Sequence, residues 1–492
     1  MLSINLKVNY KSMSFLTSYP QFKIIKDISK RKKVKVYLVG GFLRDHFLGI
    51  KKNDFDFAVS KDALKVAKSF AEKIKGAYVL LDEERECARV AKRIKGALFT
   101  FDFAGFRAKT FFGDLSHRDF TINTFSVDLD EVEDNSELDG LICDLKKGLK
   151  DLEDKIIKMT SIGIFKEDPL RMLRAFSLQA TLGFKIETKT KRQIIKDVAL
   201  IRNVSPERIR EELFKILGSC RAAKTLKQMY SIKLLEILIP QIRVMFDCKQ
   251  GAYHHLDVWP HSLETVVQFE KLAEELKSDL EIRDYLTNGD EEQGLNYRNR
   301  IGLIKLAALL HDIGKPDTRK KEGERLTFHA HERVGKNLVR DISKNLKLST
   351  KERFVLEDLV FFHLRPGYLS NFKKPSDKMI YRFFRDTKEE AVSVLLLSLA
   401  DQRSTRGALT SESDQKHHEE ICFNLIKKYF EKKKEKPFAP LINGNDIMKV
   451  LNIQSSPLVG KILNEVIELQ NLGKVKTKKE ALEKAKLIKN RE

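Results

Sequence analysis

Hydrophobic and polar positions change their period about a third of the way along the chain. Between residues 22 and about 145, short runs alternate with a period of two: "KVKVYLVGG", "NDFDFAV", "AYVLL" and "ALFTFDFA". These runs predict β-strands. Between the second and third, "KDALKVAKSFAEKIKG" has helical periodicity and stops on a glycine. From about residue 146 the strand pattern ends. "EDPLRMLRAFSLQATLGF", "SPERIREELFKILGS" and "AKTLKQMYSIKLLEIL" each predict a helix. The middle one has a strong start signal, with Ser205 as N-cap, then Pro206 and Glu207. Residues 278–300 are polar and predict a solvated insertion. "ALLHDIGK" and the segments after it are again helical. "KKYFEKKKEKPFAP" predicts a charged linker into a tail that opens with "LINGNDIMKVL" and ends in a Lys-rich helix. The fold class expected is α+β: a small mixed-sheet head over 22–145, followed by all-α regions over 146–245, 246–430 and 437–492.

Composition narrows the partners. With 492 residues the chain has room for three or four domains, and 92 basic against 70 acidic residues leave a net charge of +22. Such an excess favours a polyanion, nucleic acid first. The five cysteines are scattered without a CxxC pair, which argues against a zinc ribbon or disulfide framework and fits a reducing cytosol. The first twenty residues carry no apolar signal core, and the longest apolar run, near "AVSVLLLSLA", is far too short for a membrane span. A cytoplasmic protein with no membrane partner is expected.

Chemistry is concentrated in three blocks. In "VGGFLRDHFLGIKKNDFDFAV", Asp54 and Asp56 are two residues apart on a strand and share a face, while Phe55 and Phe57 take the other. Adjacent carboxylates repel unless a cation lies between them, and a pair of Mg²⁺ ions serves that purpose in phosphoryl and nucleotidyl transfer. Gly40 and Gly41 open a helix whose N–H groups suit phosphate, and Arg44 lies one turn on. Asp102 in "FTFDFA" is a candidate third carboxylate. The second block, "GDLSHRDFTINTFSVDL", offers Arg118, Asp119 and Asn123 to ribose hydroxyls and phosphates. The third, "KEDPLRMLRAF", places Glu167 and Asp168 three or four residues from Arg171, with Arg174 following. An intrahelical ion pair explains that spacing; so does a base-reading face. There, Asp168 accepts the exocyclic N–H of cytosine or adenine and Arg171 serves the ring nitrogen, whereas uracil and guanine present the opposite pattern.

In this order and spacing, GGxxRD, DxD, RDFTIN and EDPxRxLR resemble the class II tRNA nucleotidyltransferase and bacterial poly(A) polymerase family. Residues 36–59, 113–129, 166–176 and the helix "SPERIREEL" all carry the likeness. The resemblance implies a DNA polymerase β-like head, then helical neck, body and tail. It implies that Asp54 and Asp56 hold Mg²⁺, that Gly41, Arg44, Arg118, Arg171 and Arg174 contact the incoming nucleotide, and that Asp168 with Arg171 selects C or A. The implied reaction adds CMP and AMP from CTP and ATP to the tRNA 3′ end without a template. Two departures stand out. His117 replaces the first arginine of the common "RRDFTINA". Only "AKTFF" separates "DFAGFR" from "GDLSHRDF", which resembles members that add CC and leave the A to a partner enzyme.

A second constellation lies downstream. "YHHLDVWPHSLETV", "LLHDIGKP", "FHAHERVG", "FFHLRP" and "LADQRSTRG" hold many of the eleven histidines. Imidazole and carboxylate together suit a divalent transition metal. The order resembles the HD phosphohydrolase superfamily, which implies a site at His261, His311, Asp312 and Asp401 for Mn, Ni, Fe or Mg. His329, His331 and His363 are candidates for a second position. Some tRNA nucleotidyltransferases carry such a domain, acting on 2′,3′-cyclic phosphates or phosphomonoesters. The lysines of the tail suit a tRNA backbone. Two further readings stay open: a poly(A) polymerase on general RNA, and an HD phosphohydrolase with an RNA-binding head.

Overall fold

The computed structural model describes residues 19–134, 137–251, 255–287, 300–323, 325–407, 411–435 and 439–490. The chain divides into two units, one ending at Ser205 and one beginning at Pro206.

The first unit is built on a six-stranded sheet. Helix α1 (Gln21–Lys32) leads into β1 (Val36–Val39), α2 (Gly41–Phe47), β2 (Asp54–Val59), α3 (Ala63–Ile74), β3 (Ala77–Asp82), β4 (Cys87–Ile94), β5 (Ala97–Gly105), α4 (Phe111–Ser116) and β6 (Ser126–Asp128). The spatial order is β3-β4-β5-β2-β1-β6. Strands β2 and β5 pair in parallel; the other neighbours are antiparallel. Period-two patterning sets the two faces. Phe55, Phe57, Phe101 and Phe103 point to one side and are buried, with Phe55 stacked on Phe101 at 5.3 Å and Phe57 on Phe103 at 5.0 Å. Phe22 of α1 and Phe70 of α3 close edge-on against these rings. Each buried phenylalanine contributes about 1.5–3 kcal/mol. A one-residue slip of β2 would bury its carboxylates instead, so this aromatic layer fixes the register.

Beyond the sheet, the chain is not purely helical as the sequence pattern predicts. Ile156–Ile157 (β7) pairs with Lys185–Ile186 (β8), and Lys320–Glu322 (β9) pairs with Arg325–Thr327 (β10). Runs this short lack the alternation that marks a strand. The single helix expected over "EDPLRMLRAF" is two, α5 (Ile164–Glu167) and α6 (Leu170–Leu182), because Asp168 is extended before Pro169. "AKTLKQMYSIKLLEIL" likewise breaks at Lys233, which is left-handed.

The second unit is helical. It begins with α7 (Pro206–Leu217), at the start signal read from Ser205. Its core holds α8 (Val258–Glu275), α10 (Arg300–Leu310), α11 (His331–Asn345), α12 (Thr350–Phe362) and α14 (Ala391–Ser404). In α14 every residue from Ala391 to Ala400 is buried, so the longest apolar run is a core helix. No helix among the described residues is long and apolar enough to cross a membrane. The expected solvated insertion is partly structural. Its residues Leu280–Thr287 form α9, with Ile282, Tyr285 and Leu286 buried. Tyr285 donates to Glu389 O at 2.9 Å, and the Arg300 guanidinium lies 4.1 Å from its ring centroid and 3.1 Å from Glu390. The rest of the insertion, 288–299, lies outside the described residues. The expected linker is helical further than its charge suggests: α15 (Glu412–Lys434) carries its first eight residues, and 436–438 lie outside the described residues. Three last helices, α16 (Gly444–Leu451), α17 (Pro457–Asn471) and α18 (Lys478–Lys489), enclose a small core around Ile447, Ile462 and Val466. Glu468 of α17 ties them to α13 (Asp377–Thr387) through Arg382 at 2.8 Å and Lys378 at 3.3 Å.

Candidate functional site

The polar face of the head sheet carries a row of carboxylates. Asp54 and Asp56 project from β2, and Asp56 is in register with Asp102 on the parallel strand β5. Asp54 accepts a hydrogen bond from the Thr100 hydroxyl. Asp102 is held bidentately by Arg89 of β4, with both N–O distances 2.7 Å. Among the described residues Asp56 has no such partner. Burial, with Asp54 and Asp102 close by, raises its pKa to about 6, although Arg118 and Arg174 oppose the shift. A proton or a cation relieves that crowding, and carboxylate oxygens suit a hard divalent cation.

The glycine pair makes the row accessible. Gly40 precedes α2 with φ +87°, a conformation that L side chains rarely adopt. A Cβ there would lie 2.7 Å from Asp56 Oδ2. The turn therefore passes directly against the carboxylate, with no room for a side chain at residue 40.

Around the row runs a chain of polar contacts. Arg44 donates to Asp45 at 2.8 Å and to Asn123 at 2.7 Å; Asn123 donates to Asp119 at 3.0 Å; Arg174 donates to Asp119 at 2.9 Å. Burial raises the Asp119 pKa, but the Arg174 charge and the hydrogen bonds from Asn123, Arg174 and the Phe120 N–H bring it down to about 2. Arg44 is buried and braces Asn123. Arg171 is also buried and donates to His117 O at 2.7 Å, to Ile164 O at 3.2 Å and to Glu167 at 3.3 Å. The Glu167 carboxylate meets the His117 ring at 3.1 Å. Asp168 accepts from the Leu170 N–H at 3.2 Å, ending α5 and starting α6. Glu167 and Asp168 thus lie at a helix junction, not on one continuous helix face.

In the second unit, four imidazoles converge on one carboxylate. Asp312 lies 3.2 Å from His311 Nε2, 3.6 Å from His261 Nε2, 3.4 Å from His331 Nε2 and 3.9 Å from His363 Nε2. Asp401 sits 2.9 Å from His261 Nε2 and 3.5 Å from His311 Nε2. In each ring Nδ1 is bonded outward: to Ala308 O at 2.9 Å, Phe328 O at 2.8 Å, Val360 O at 2.7 Å and Ser404 Oγ at 3.1 Å. That orients Nε2 inward, as metal-ligating histidines require. Asp312 Oδ2 is buried 3.2 Å from His311 Nε2 and 2.7 Å from Lys315 Nζ. Burial, helped by His311 and His331, pulls the His363 pKa down to about 3, so this imidazole is a neutral donor. Two ligand groups share Asp312: His261 with His311, and His331 with His363. His329, the other candidate for the second position, is exposed and belongs to neither group, because it lies just before α11 whereas His331 begins it.

Three family models match the chain: the poly A polymerase head domain over residues 36–158, the probable RNA and SrmB-binding site of polymerase A over 183–245, and the HD domain over 258–406. The A-adding tRNA nucleotidyltransferase of Deinococcus radiodurans is 31% identical over 455 residues, covering 90% of this chain and 93% of the relative. The chain belongs to the tRNA nucleotidyltransferase family. The CC-adding tRNA nucleotidyltransferase of Thermus thermophilus is 28% identical over 452 residues, covering 90% and 91%. A CCA-adding enzyme solved in complex with ATP shares the fold, with TM-score 0.61 and 19% identity over 97% of this chain and 96% of that one. A Thermotoga maritima CCA-adding enzyme complexed with tRNA has TM-score 0.59 and 19% identity, over 96% of each.

Some participants in this nucleotidyltransferase head were not legible from motifs. Arg89 lies outside every quoted stretch, and Thr100 and Arg107, though inside "FTFDFA" and "DFAGFR", carry no motif signal; strand pairing and a turn bring them to their partners. Period-two reading of β4 would have put Arg89 on one face without saying which strand it meets.

Two outcomes follow. Gly40→Ala should lower nucleotide incorporation about a hundredfold or more, since the added methyl displaces Asp56, while circular dichroism shows the fold retained. The second concerns the metal-free protein. The Asp56 pKa is about 6 against an ordinary 3.8, so the ionised folded state is penalised above pH 6 and the penalty fades as pH falls toward 4. In chelator at pH 7.5, Asp56→Asn should therefore raise the melting temperature by about 2–4 °C. The gain should shrink at pH 4.5; an equal gain at both would contradict it.

Proposed function

We propose that this chain is a template-independent nucleotidyltransferase that extends the 3′ end of tRNA with nucleotides from CTP or ATP. The observation that carries the reading is the Asp54–Asp56–Asp102 row beside the Gly40 turn. Asp54 and Asp56 would hold Mg²⁺, with Asp102 set by Arg89 to assist. Bound Mg²⁺ lowers the pKa of an attacking hydroxyl and neutralises the triphosphate. Gly40 and Gly41 let the α2 N-terminus approach phosphate, and Arg118 and Arg174 supply positive charge on the same side. Asp119 and Asn123, braced by Arg44 and Arg174, are placed for the ribose. Asp168 and Arg171 read the amino edge of C or A, with Arg171 held by His117 O and Glu167. The five thiols, all free, suit a reducing compartment such as the cytoplasm.

A finer reading is that the enzyme adds only part of the CCA end, as the short "AKTFF" connection suggests. That connection is pinned: Tyr37 stacks on Phe111 at 3.8 Å, Arg107 donates to His117 O at 2.9 Å, and Thr110 caps α4. A pinned connection favours one fixed setting of Arg171, hence C addition alone. The likeness to an A-adding relative favours the alternative of A alone. Incubation of tRNA lacking its end, and of tRNA ending in CC, with CTP, ATP or both separates the cases by product length. Two C on the first substrate supports C addition; one A on the second supports A addition; long tails with ATP alone indicate a poly(A) polymerase. Asp54→Ala should remove about 10³-fold or more of each. No incorporation by the unaltered protein would sink the proposal.

The histidine cluster supports a second reading for the HD domain. Its two ligand groups suit a divalent Mn, Ni, Fe or Mg pair acting on phosphomonoesters or 2′,3′-cyclic phosphates. His311→Ala should lower bound metal and abolish phosphate release while leaving nucleotide transfer within about twofold. Metal content unchanged by that substitution would refute the assignment.

A further inference from the structure

The head sheet has two edges, and they differ. At one, β6 is three residues long with Ser126 and Val127 buried, and Cys143 bridges across to Ser126. At the other, β3 is open along its length: Tyr78, Val79, Leu80 and Leu81 are 37%, 46%, 47% and 52% exposed. They alternate between the two faces, so neither face of the strand is covered. Open apolar edges are strand-pairing sites unless protected by charge, proline or a bulge. There is no proline or charge within Ala77–Leu81, and the register shift between Leu80 and Asp82 acts only at the far end.

We infer that the free edge of β3 pairs with β3 of a second copy of this chain. The charges flanking the strand choose the occupant. Glu72, Lys73 and Lys75 precede it and Asp82, Glu83, Glu84 and Arg85 close it, so its start is net basic and its end net acidic. Two copies related by a two-fold axis perpendicular to the sheet pair antiparallel, so each basic end meets the partner's acidic end. A parallel arrangement would set like charges together. With the axis through Val79, Tyr78 faces the partner's Leu80, and the Lys75 helix cap lies at the end where the partner's Glu83 turn lies. Val79 is in register with Arg89, Arg89 with Asp102, and Asp102 with Asp56. The same axis therefore keeps both carboxylate rows on one side of a continuous sheet. Seven strand spacings separate the two Asp56 residues, roughly 30–35 Å. The pairing uses an edge and leaves both polar faces open.

Sedimentation velocity of the full chain from about 1 to about 100 µM tests this. The expected result is a concentration-dependent dimer that weakens with added salt. Leu80→Lys, on the face opposite the carboxylates, should shift the protein to monomer at least tenfold in concentration while circular dichroism stays unchanged. Lys75→Glu and Glu83→Lys should each weaken the dimer, and the double variant should restore it, which only head-to-tail self-pairing predicts. A monomer throughout the range, a dimer indifferent to Leu80→Lys, or a double variant no better than the single ones would each overturn the inference.

Discussion

Repulsion among Asp54, Asp56 and Asp102 is the constraint around which the head is built. Three carboxylates on neighbouring strand positions repel one another, and burial together with Asp54 and Asp102 raises the pKa of Asp56. The opposite face supplies the compensation. Phe55, Phe57, Phe101 and Phe103 stack across the same two strands, so the residues alternating with the carboxylates are the ones that hold β2 and β5 in register. A carboxylate-bearing face and a core are made by one alternating pattern, and neither can shift without the other.

The same economy of position appears at the glycine turn and in the polar chain behind it. Gly40 is required twice, once for its positive φ and once because a Cβ would strike Asp56. Arg44, Asn123, Asp119 and Arg174 link α2, the segment after α4, and α6 into one hydrogen-bonded path. That path gives the RDFTIN and EDPLR blocks a fixed geometry relative to the carboxylates. His117 joins it from the side, its carbonyl oxygen receiving both Arg107 and Arg171. The helical unit solves a related problem differently. There, four imidazoles are aimed by backbone carbonyls and a serine, and the buried Asp312 and Asp401 offset one another's repulsion through His261 and His311.

Much of this was legible in the sequence because it depends on local period. Two carboxylates at i and i+2 on a strand share a face by covalent geometry alone. The GG turn, the HD dipeptide and the Ser205-Pro206-Glu207 helix start are similarly local. The order of the blocks identified the family before any distance was known. What sequence pattern misjudged was burial of polar segments. Residues 280–287 look solvated, yet Tyr285 and Arg300 bury together because a cation–π contact and Glu390 satisfy them. Lysine-rich residues up to 434 continue a helix whose other side packs on the core.

The sequence by itself determined which side chains are candidates for the chemistry and which face each strand turns to the core, since both follow from residue type and period. Only the tertiary structure decided their partners. It brought Arg89 to Asp102 and Thr100 to Asp54 by pairing strands far apart in sequence. It gathered His261, His311, His331 and His363 around Asp312 and left His329 outside. It set Arg44 against Asp45 and Asn123. Those outcomes depend on which elements pack against one another, and that is set by the summed burial of the whole unit, which no local window contains.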